Sequence, residues 1–416
     1  MIKVALLLED QGFANMNLSR PEEGNPGVGG TAYCFLLLGR YLAEEKDTIE
    51  ITFYHFNENN LMKCKQRRVK SIDDALAQMK KDGIDIVILK NLQSDKTYDM
   101  IEAAGIKTII WAHNFLTFSE MKLFARCETI KRVICVGRQM YDYYLDEPVI
   151  QKMDYVFNIF LPPQKEIPRT IPYEKNVTYI GSLVYEKNFH VLAQAWKEIV
   201  AAVPEAKLQV IGSGQLYSRE SSLGQYGIAQ KEYEDLFMPY ICTQNGELMP
   251  SVVFHGLLGD EKYQVFANTA VGVVNPMAAT ETFCLCAVEL ESCGIPVVTR
   301  RKNGLLDTVI HRKTGLLYRD AKDLARNVIR LLKDQELNQR LGLQAMTFAH
   351  QEFVPTKCIS RWRTVLNDVY EERPAMYHAP QNHYCNNGKW IRRMVHGLHS
   401  IKLLAAIPSI HDIQKK

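Results

Sequence analysis

No stretch of the chain reaches the roughly 18 uninterrupted apolar residues that a membrane-crossing helix needs. A spanning architecture is therefore not expected. The opening residues, MIKVALLLED, hold neither a basic leader nor a small-residue cleavage site, so the expectation is an intracellular, cytoplasmic protein. Cysteine is present, but paired cysteine is not: ten are scattered at 34, 64, 127, 135, 242, 284, 286, 293, 358 and 385. Cys284 and Cys286 form one C-x-C without a second pair, which argues against zinc and for reduced thiols in apolar surroundings. An excess of one charge is lacking too. With 50 Lys and Arg against 47 Asp and Glu, the net charge of +3 offers no global attraction for nucleic acid. At 47% apolar and 23% charged, the 416 residues read as an ordinary globular chain, long enough for two domains.

What the chain has in quantity is alternation. Short apolar runs at residues 3–8, 49–54, 84–89, 108–111, 132–136 and 154–157 are separated by helix-like spacers, the pattern of a parallel sheet covered on both faces. After the first run, residues 11–30 are polar and turn-rich and end in Gly29 and Gly30, just before a helix from about residue 31. Strand, glycine loop, helix can bring backbone N-H groups to a phosphate, although a plain tight turn reads equally well here. His113 follows the 108–111 run, at the strand end where parallel sheets bind ligands. Residues 161–176 hold Pro162, Pro163, Pro168 and Pro172 with little periodicity and read as a linker. A second series of runs then covers 177–180, 208–211, 251–254, 270–274 and 296–299. A tight turn at Gly212 to Gly214 ends one of them. Residues 215–250 form a long connector, 321–353 one long helical stretch, and a further helix starts at Pro355.

The stretch that organises the rest is 275–294, NPMAATETFCLCAVELESCG. Glu281 and Glu289 stand eight apart in it. A helix starting near Thr282 puts Glu281 in the preceding loop and Glu289 two turns inside, with the carboxylates roughly 10 to 12 Å apart. Carboxylates accept hydrogen bonds from hydroxyls, and a helix N-terminus favours an anion between them. A diphosphate joining two sugars matches that layout.

Asn275, Pro276, Glu281, Phe283, Glu289, Cys293, Gly294, Pro296, Val297 and Val298, followed by Gly304 and by Thr314, Gly315, Leu316 and Leu317, resemble the signature of the family 4 glycosyltransferases. The resemblance spans about residues 3–370 and is strongest over 177–318. It implies an α/β protein of the GT-B fold, two Rossmann-like doubly wound domains facing a cleft. The expected parts are an acceptor-side domain at 1–160, a linker at 161–176 and a nucleotide-sugar-binding domain at 177–354. A crossover helix at 355–371 packing back on the first domain and a basic tail at 372–416 complete them. The resemblance assigns the ribose to Glu289 and the donor sugar to Glu281. It assigns the diphosphate to Lys187 and to the amides around Phe283, Cys284 and Leu285. Gly29 and Gly30 would lie against the donor, Gly212 beside the base and His113 near the donor sugar, so the catalytic candidates are Glu281, Lys187 and His113. Two positions depart from the family: Cys284 stands where it has Gly, and Ser182 where it has a second diphosphate-binding cation. Either Arg138 or Arg300 supplies that cation, or the donor differs.

The implied reaction is retaining transfer of a sugar from a nucleotide-diphosphate sugar to a hydroxyl of a carbohydrate or glycolipid acceptor, in cell-surface polysaccharide or glycolipid assembly. No cofactor or metal is expected, in keeping with the lack of a D-x-D after a strand. A nucleotide-sugar epimerase of GT-B-like fold and a non-catalytic sugar-binding protein are the alternatives. From Arg373 onward the chain carries seven Lys or Arg against one acid, Asp412. Over 389–407 a helix would place Trp390, Met394, Leu398, Ile401 and Ala405 on one face and Lys389, Arg392, Arg393, His396 and His399 on the other. Such a helix suits an anionic membrane surface, with the protein peripheral on the inner face of the membrane. Docking on protein suits it as well.

Overall fold

The computed structural model describes residues 1–163, 167, 174–215, 222–401, 404 and 407–414. Two units make up the chain: Met1–Ile159 with Pro355–Lys416, and Phe160–Val354. The linker expected at 161–176 falls partly on 164–166 and 168–173, which lie outside the described residues.

The first unit is built on seven strands, Ile2–Leu8 (β1), Ile49–His55 (β2), Lys65–Arg68 (β3), Ile86–Lys90 (β4), Lys107–Ala112 (β5), Ile130–Cys135 (β6) and Met153–Tyr155 (β7). They pair in parallel in the order β3-β2-β1-β4-β5-β6-β7. Six of these coincide with apolar runs, because a parallel strand covered on both faces must be apolar throughout. The exception is β3, sequence KQRR, exposed at every position and placed at the sheet edge. Charged edges resist pairing with other chains, and they leave no hydrophobic period to read. Helix α1, Gly30–Leu42, follows the glycine loop and buries Cys34 through Gly39.

The second unit carries six parallel strands, Asn176–Ile180 (β8), Lys207–Ile211 (β9), Val252–Gly256 (β10), Thr269–Val273 (β11), Val297–Arg300 (β12) and Gly315–Tyr318 (β13). Their order is β10-β9-β8-β11-β12-β13. The chain therefore winds outward one way from β8 and the other way from β11, and the crevice beyond the carboxyl ends of these two strands is the topological switch point where open α/β sheets bind ligands. Three helices frame that crevice: Phe189–Ala202 (α2), Lys262–Ala267 (α3) and Leu285–Ser292 (α4). At the ends of β8 and β9 the backbone comes so close that a Cβ on Gly212, at φ +145°, would sit 1.9 Å from the Gly181 carbonyl oxygen. Only glycine fits.

Two helical expectations need correction. The stretch at 321–353 is two helices, Asp323–Lys333 and Gln335–Glu352, because the Asp334 side chain accepts the Leu337 amide at 2.9 Å and caps a new start. The helix expected from Thr282 begins at Leu285, so Glu289 lies one turn inside it rather than two.

The tail belongs to the first unit, which the chain re-enters at Pro355–Tyr370 (α5). Trp362 of α5 is fully buried and meets Trp111 edge-on at 5.0 Å. Helix Lys389–His399 (α6) splits the expected basic face, with Arg393 exposed. Lys389 and Arg392 turn inward, 0 and 1% exposed, while Ile391 and Met394 turn outward, 53 and 66% exposed. The physical reason is a set of acceptors in the first unit, of which Asp146 is fully buried. Arg392 donates to Asp146 at 2.6 Å, and its guanidinium lies 4.7 Å over the Tyr143 ring. Lys389 Nζ donates to the Gln381 carbonyl and to Asn382, each at 2.6 Å. Ala405 lies outside the described residues. Among the described residues, no helix is long and apolar enough to cross a membrane.

Candidate active site in the second unit

The loop from β11 to α4 is pinned from every side. Asn275, at φ +33°, accepts the Ala278 amide on Oδ1 at 3.0 Å and donates from Nδ2 to Glu281 Oε2 at 2.8 Å. Tyr318 of β13 donates its hydroxyl to the Pro276 carbonyl, Thr299 of β12 to the Val274 carbonyl, and Asn303 to the Ala278 carbonyl, each at 2.7 Å. The Gly304 amide donates to the Glu281 carbonyl at 3.0 Å, and a Cβ on Gly304 would strike the Thr282 carbonyl oxygen at 2.2 Å. Side chains locked by such secondary hydrogen bonds hold a site at fixed geometry.

Glu281 is 7% exposed and receives two donors on one oxygen: Asn275 Nδ2 and Lys187 Nζ, both at 2.8 Å. Lys187 ends the short turn Tyr185–Lys187 that leads from β8 into α2. Thus the switch point brings one cation from the β8 side and one carboxylate from the β11 side to a single spot. Beside it, α4 begins with Cys284 as its N-cap residue, whose side chain makes no capping bond. First-turn amides of a helix lack intrahelical acceptors and carry the positive end of its dipole, so α4 offers an anion both N-H donors and field.

Glu289, one turn along α4, pairs with Lys262 of α3 at 2.8 Å. Lys262 is absent from the residues that motif spacing singles out. Nothing in the sequence marks it, since it stands 27 positions before its partner on a different helix. Phe283 is buried, its ring 5.3 Å from that of Phe353. Burial also pushes the Cys284 thiol well above the ordinary thiol range and Cys286 up to about 12, so both stay protonated and poor as nucleophiles.

Other expected residues are tied into the fold as well. Ser182 is 2% exposed and donates its hydroxyl to the Ser213 carbonyl at 3.2 Å, a tie between the β8 and β9 turns. Gly212 serves the close approach of those same turns. Arg138 lies in the first unit, donating to Asp142 at 3.0 Å and to the Ala379 carbonyl. Arg300 closes β12 beside the site loop, with Nη1 2.9 Å from Met277 Sδ. Of the two replacement cations, only Arg300 shares a unit with Lys187.

In the first unit, His113 follows β5 with its ring 4.6 Å from that of Trp111 and 6.2 Å from that of Phe35. That enclosure, with Lys90 adding a smaller push, lowers its pKa to about 3. The imidazole is neutral at working pH. Gly29 caps α1 and Gly30 opens it in open space, where neither packing nor a positive φ calls for glycine. One further cluster, Asp146, Glu147 and His411, brings three metal-type ligand atoms within 4.8 Å. Its cation is already present as the Arg392 guanidinium.

Residues 174–334 match the family described as glycosyl transferases group 1. That match, most of the second unit, is a resemblance to the group 1 glycosyltransferases. Among curated relatives, N-acetyl-alpha-D-glucosaminyl L-malate synthase of Bacillus anthracis is 26% identical over 206 residues, 48% of this chain and 47% of that protein. The capsular polysaccharide biosynthesis glycosyltransferase CapM of Staphylococcus aureus is 30% identical over 168 residues, covering 40% and 39%. The chain thus spans about half the length, or less, of these relatives. Among solved structures, sucrose-phosphate synthase from Thermosynechococcus elongatus superposes with a TM-score of 0.66 at 16% identity, covering 89% of this chain and all of that one. Anabaena HepE in complex with UDP and glucose gives 0.63 at 15%, covering 88% and 100%. These likenesses show the fold: a GT-B protein with two Rossmann-like α/β units, the second of which holds the group 1 signature.

Proposed function

We propose that the protein transfers a sugar, with retention, from a nucleotide-diphosphate donor to a hydroxyl of a carbohydrate or glycolipid acceptor. The observation that carries this reading is the convergence of Lys187 and Asn275 on Glu281 beside the start of α4, at the switch point of the second sheet. Breaking the bond to the sugar leaves negative charge on the diphosphate. A preorganised ammonium and helix amides stabilise that charge where it develops, and they need not reorganise during the reaction. Arg300 supplies the second cation that Ser182 does not. Glu281, already an acceptor of two hydrogen bonds, takes further ones from donor-sugar hydroxyls, and Glu289 binds the ribose. The neutral ring of His113 can exchange hydrogen bonds with a hydroxyl without adding charge. The cations and amides cover the role of a divalent ion, so activity should survive a chelator.

UDP-sugars are the first donors to try, because a structural relative was solved with UDP and glucose. Purified protein, a UDP-sugar and glycan or polyprenyl-phosphate acceptors should release UDP and yield a glycoside of unchanged anomeric configuration, with or without EDTA. An isomerised nucleotide sugar without UDP release would establish the epimerase alternative instead.

A second reading concerns place: a cytoplasmic protein resting on an anionic membrane surface through α6, in cell-surface polysaccharide or glycolipid assembly. The inverted burial of α6 favours it, because exposed Ile391 and Met394 form an outward apolar strip with exposed Arg393 beside it. Phosphatidylglycerol vesicles should sediment the protein, phosphatidylcholine vesicles should not, and Met394→Asp should abolish the difference. Equal recovery in every supernatant would remove the membrane from the proposal.

A further inference from the structure

The geometry points to Lys262 as the second half of a clamp for a vicinal diol, with Glu289 as the first. The inference rests on the proposed role of Glu289 toward the donor ribose. Lys262 Nζ lies 2.8 Å from Glu289 Oε1, and the two side chains keep 17 and 23% of their exposure. Among the described residues the pair makes no other side-chain hydrogen bond. It leaves two ammonium protons and the second carboxylate oxygen for a ligand hydroxyl, with the ammonium also 5.3 Å from the centre of the Tyr263 ring.

A staple between α3 and α4 would be the plainer role for this pair. Ion pairs of this kind add little stability when exposed, and they cost desolvation when buried. A lysine held largely out of water against a carboxylate that still reaches solvent is poorly placed as a staple. It is well placed as a receptor. Each hydroxyl of a ribose both donates and accepts, whereas a carboxylate only accepts and an ammonium only donates. Glu289 alone can satisfy the two hydroxyl protons but neither lone pair. With Lys262 beside it, the 2′- and 3′-hydroxyls meet one acceptor and one donor already fixed relative to each other, so little side-chain freedom is lost on binding. A deoxyribose would leave part of that charged pair unmatched.

The test is titration calorimetry of the full-length protein with UDP, GDP and ADP and with their 2′-deoxy counterparts, alongside thermal unfolding. Wild type should prefer the ribonucleotide it binds over the deoxy form by about tenfold or more. Lys262→Met should weaken the ribonucleotide by about that factor, leave the deoxy form within about twofold and shift the unfolding temperature little. Lys262→Arg, which keeps the donor and the charge, should restore most of the preference. If Lys262→Met retains the wild-type ratio, or wild type itself fails to discriminate, the clamp is overturned while the transferase reading stands. If no diphosphate binds wild type, both fall together. Should Lys262→Met not fold, the Lys262→Arg ratio and the wild-type ratio decide the matter.

Discussion

The ion pairs of the second unit and those that seat the tail in the first look alike in length and differ in surroundings. Lys187 to Glu281 and Lys262 to Glu289 span 2.8 Å each, and Arg392 to Asp146 spans 2.6 Å. Exposure separates them. The site pairs keep 25 and 9%, and 17 and 23%, of their side-chain surface, whereas the tail pair keeps 1 and 0%. A pair open to water can exchange its partner for a ligand hydroxyl or phosphate at small cost. A sealed pair cannot, because losing either member strands a charge. The same chemistry therefore makes a receptor at the switch point and a latch under the tail.

The largest expected effect comes from breaking the latch. Asp146→Ala leaves the Arg392 guanidinium buried without its partner and the Ile410 amide without its acceptor, and should cost about 3 to 5 kcal/mol of stability in urea unfolding. A loss below about 1 kcal/mol would place this pair with surface pairs and dissolve the contrast. Breaking a receptor pair should act on turnover instead. Glu281→Gln keeps the volume and one acceptor, so the fold should persist while kcat/KM for transfer drops about a hundredfold or more, the scale of losing one preorganised polar group. Unchanged turnover would make Glu281 a structural acceptor for Asn275 alone. A smaller effect is expected at Glu289: Glu289→Ala should weaken nucleoside diphosphate binding about 10- to 100-fold by calorimetry, as for a hydrogen bond to a charged group. Unaltered affinity would take the ribose away from it.

These contrasts were unevenly legible in the sequence. Strands covered on both faces announce themselves as apolar runs, so both sheets and the strand ends carrying Lys187, His113 and Glu281 could be placed in advance. Edge strand KQRR could not, since an exposed strand has no apolar period. The pairing of Lys262 with Glu289 was invisible because it depends on two helices meeting through the fold, not on spacing along one of them. Ser182 shows a related limit: the resemblance placed it where the family has a cation, and spacing could not show that its hydroxyl would go to the Ser213 carbonyl. In the sequence the tail stays open between a membrane surface and protein. A helical wheel separates polar from apolar faces without saying which one meets water, and buried Asp146 reversed the usual answer for α6.

Glu291 carries the comparison one step further, since it shares α4 with Glu289 and has neither a lysine nor water. It is fully buried, and among the described residues the Thr314 side chain is the one group that favours its charged form. Desolvation holds its pKa well above the ordinary carboxyl range, with Thr314 exerting a smaller opposing pull. The acid is therefore neutral in the folded protein at pH values where the unfolded chain has already ionised. Because the folded pKa is raised, the stability this carboxyl lends is complete only below the unfolded value of about 4.3, and it is lost as pH rises through the folded value. Glu291→Gln, which cannot ionise in either state, should thus unfold at a higher temperature than wild type, by a margin that grows from pH 5 to pH 8. Scanning calorimetry at four pH values measures that margin directly. A constant margin would mean that Glu291 titrates alike in both states, and that burial on this helix imposes no penalty on its ionisation.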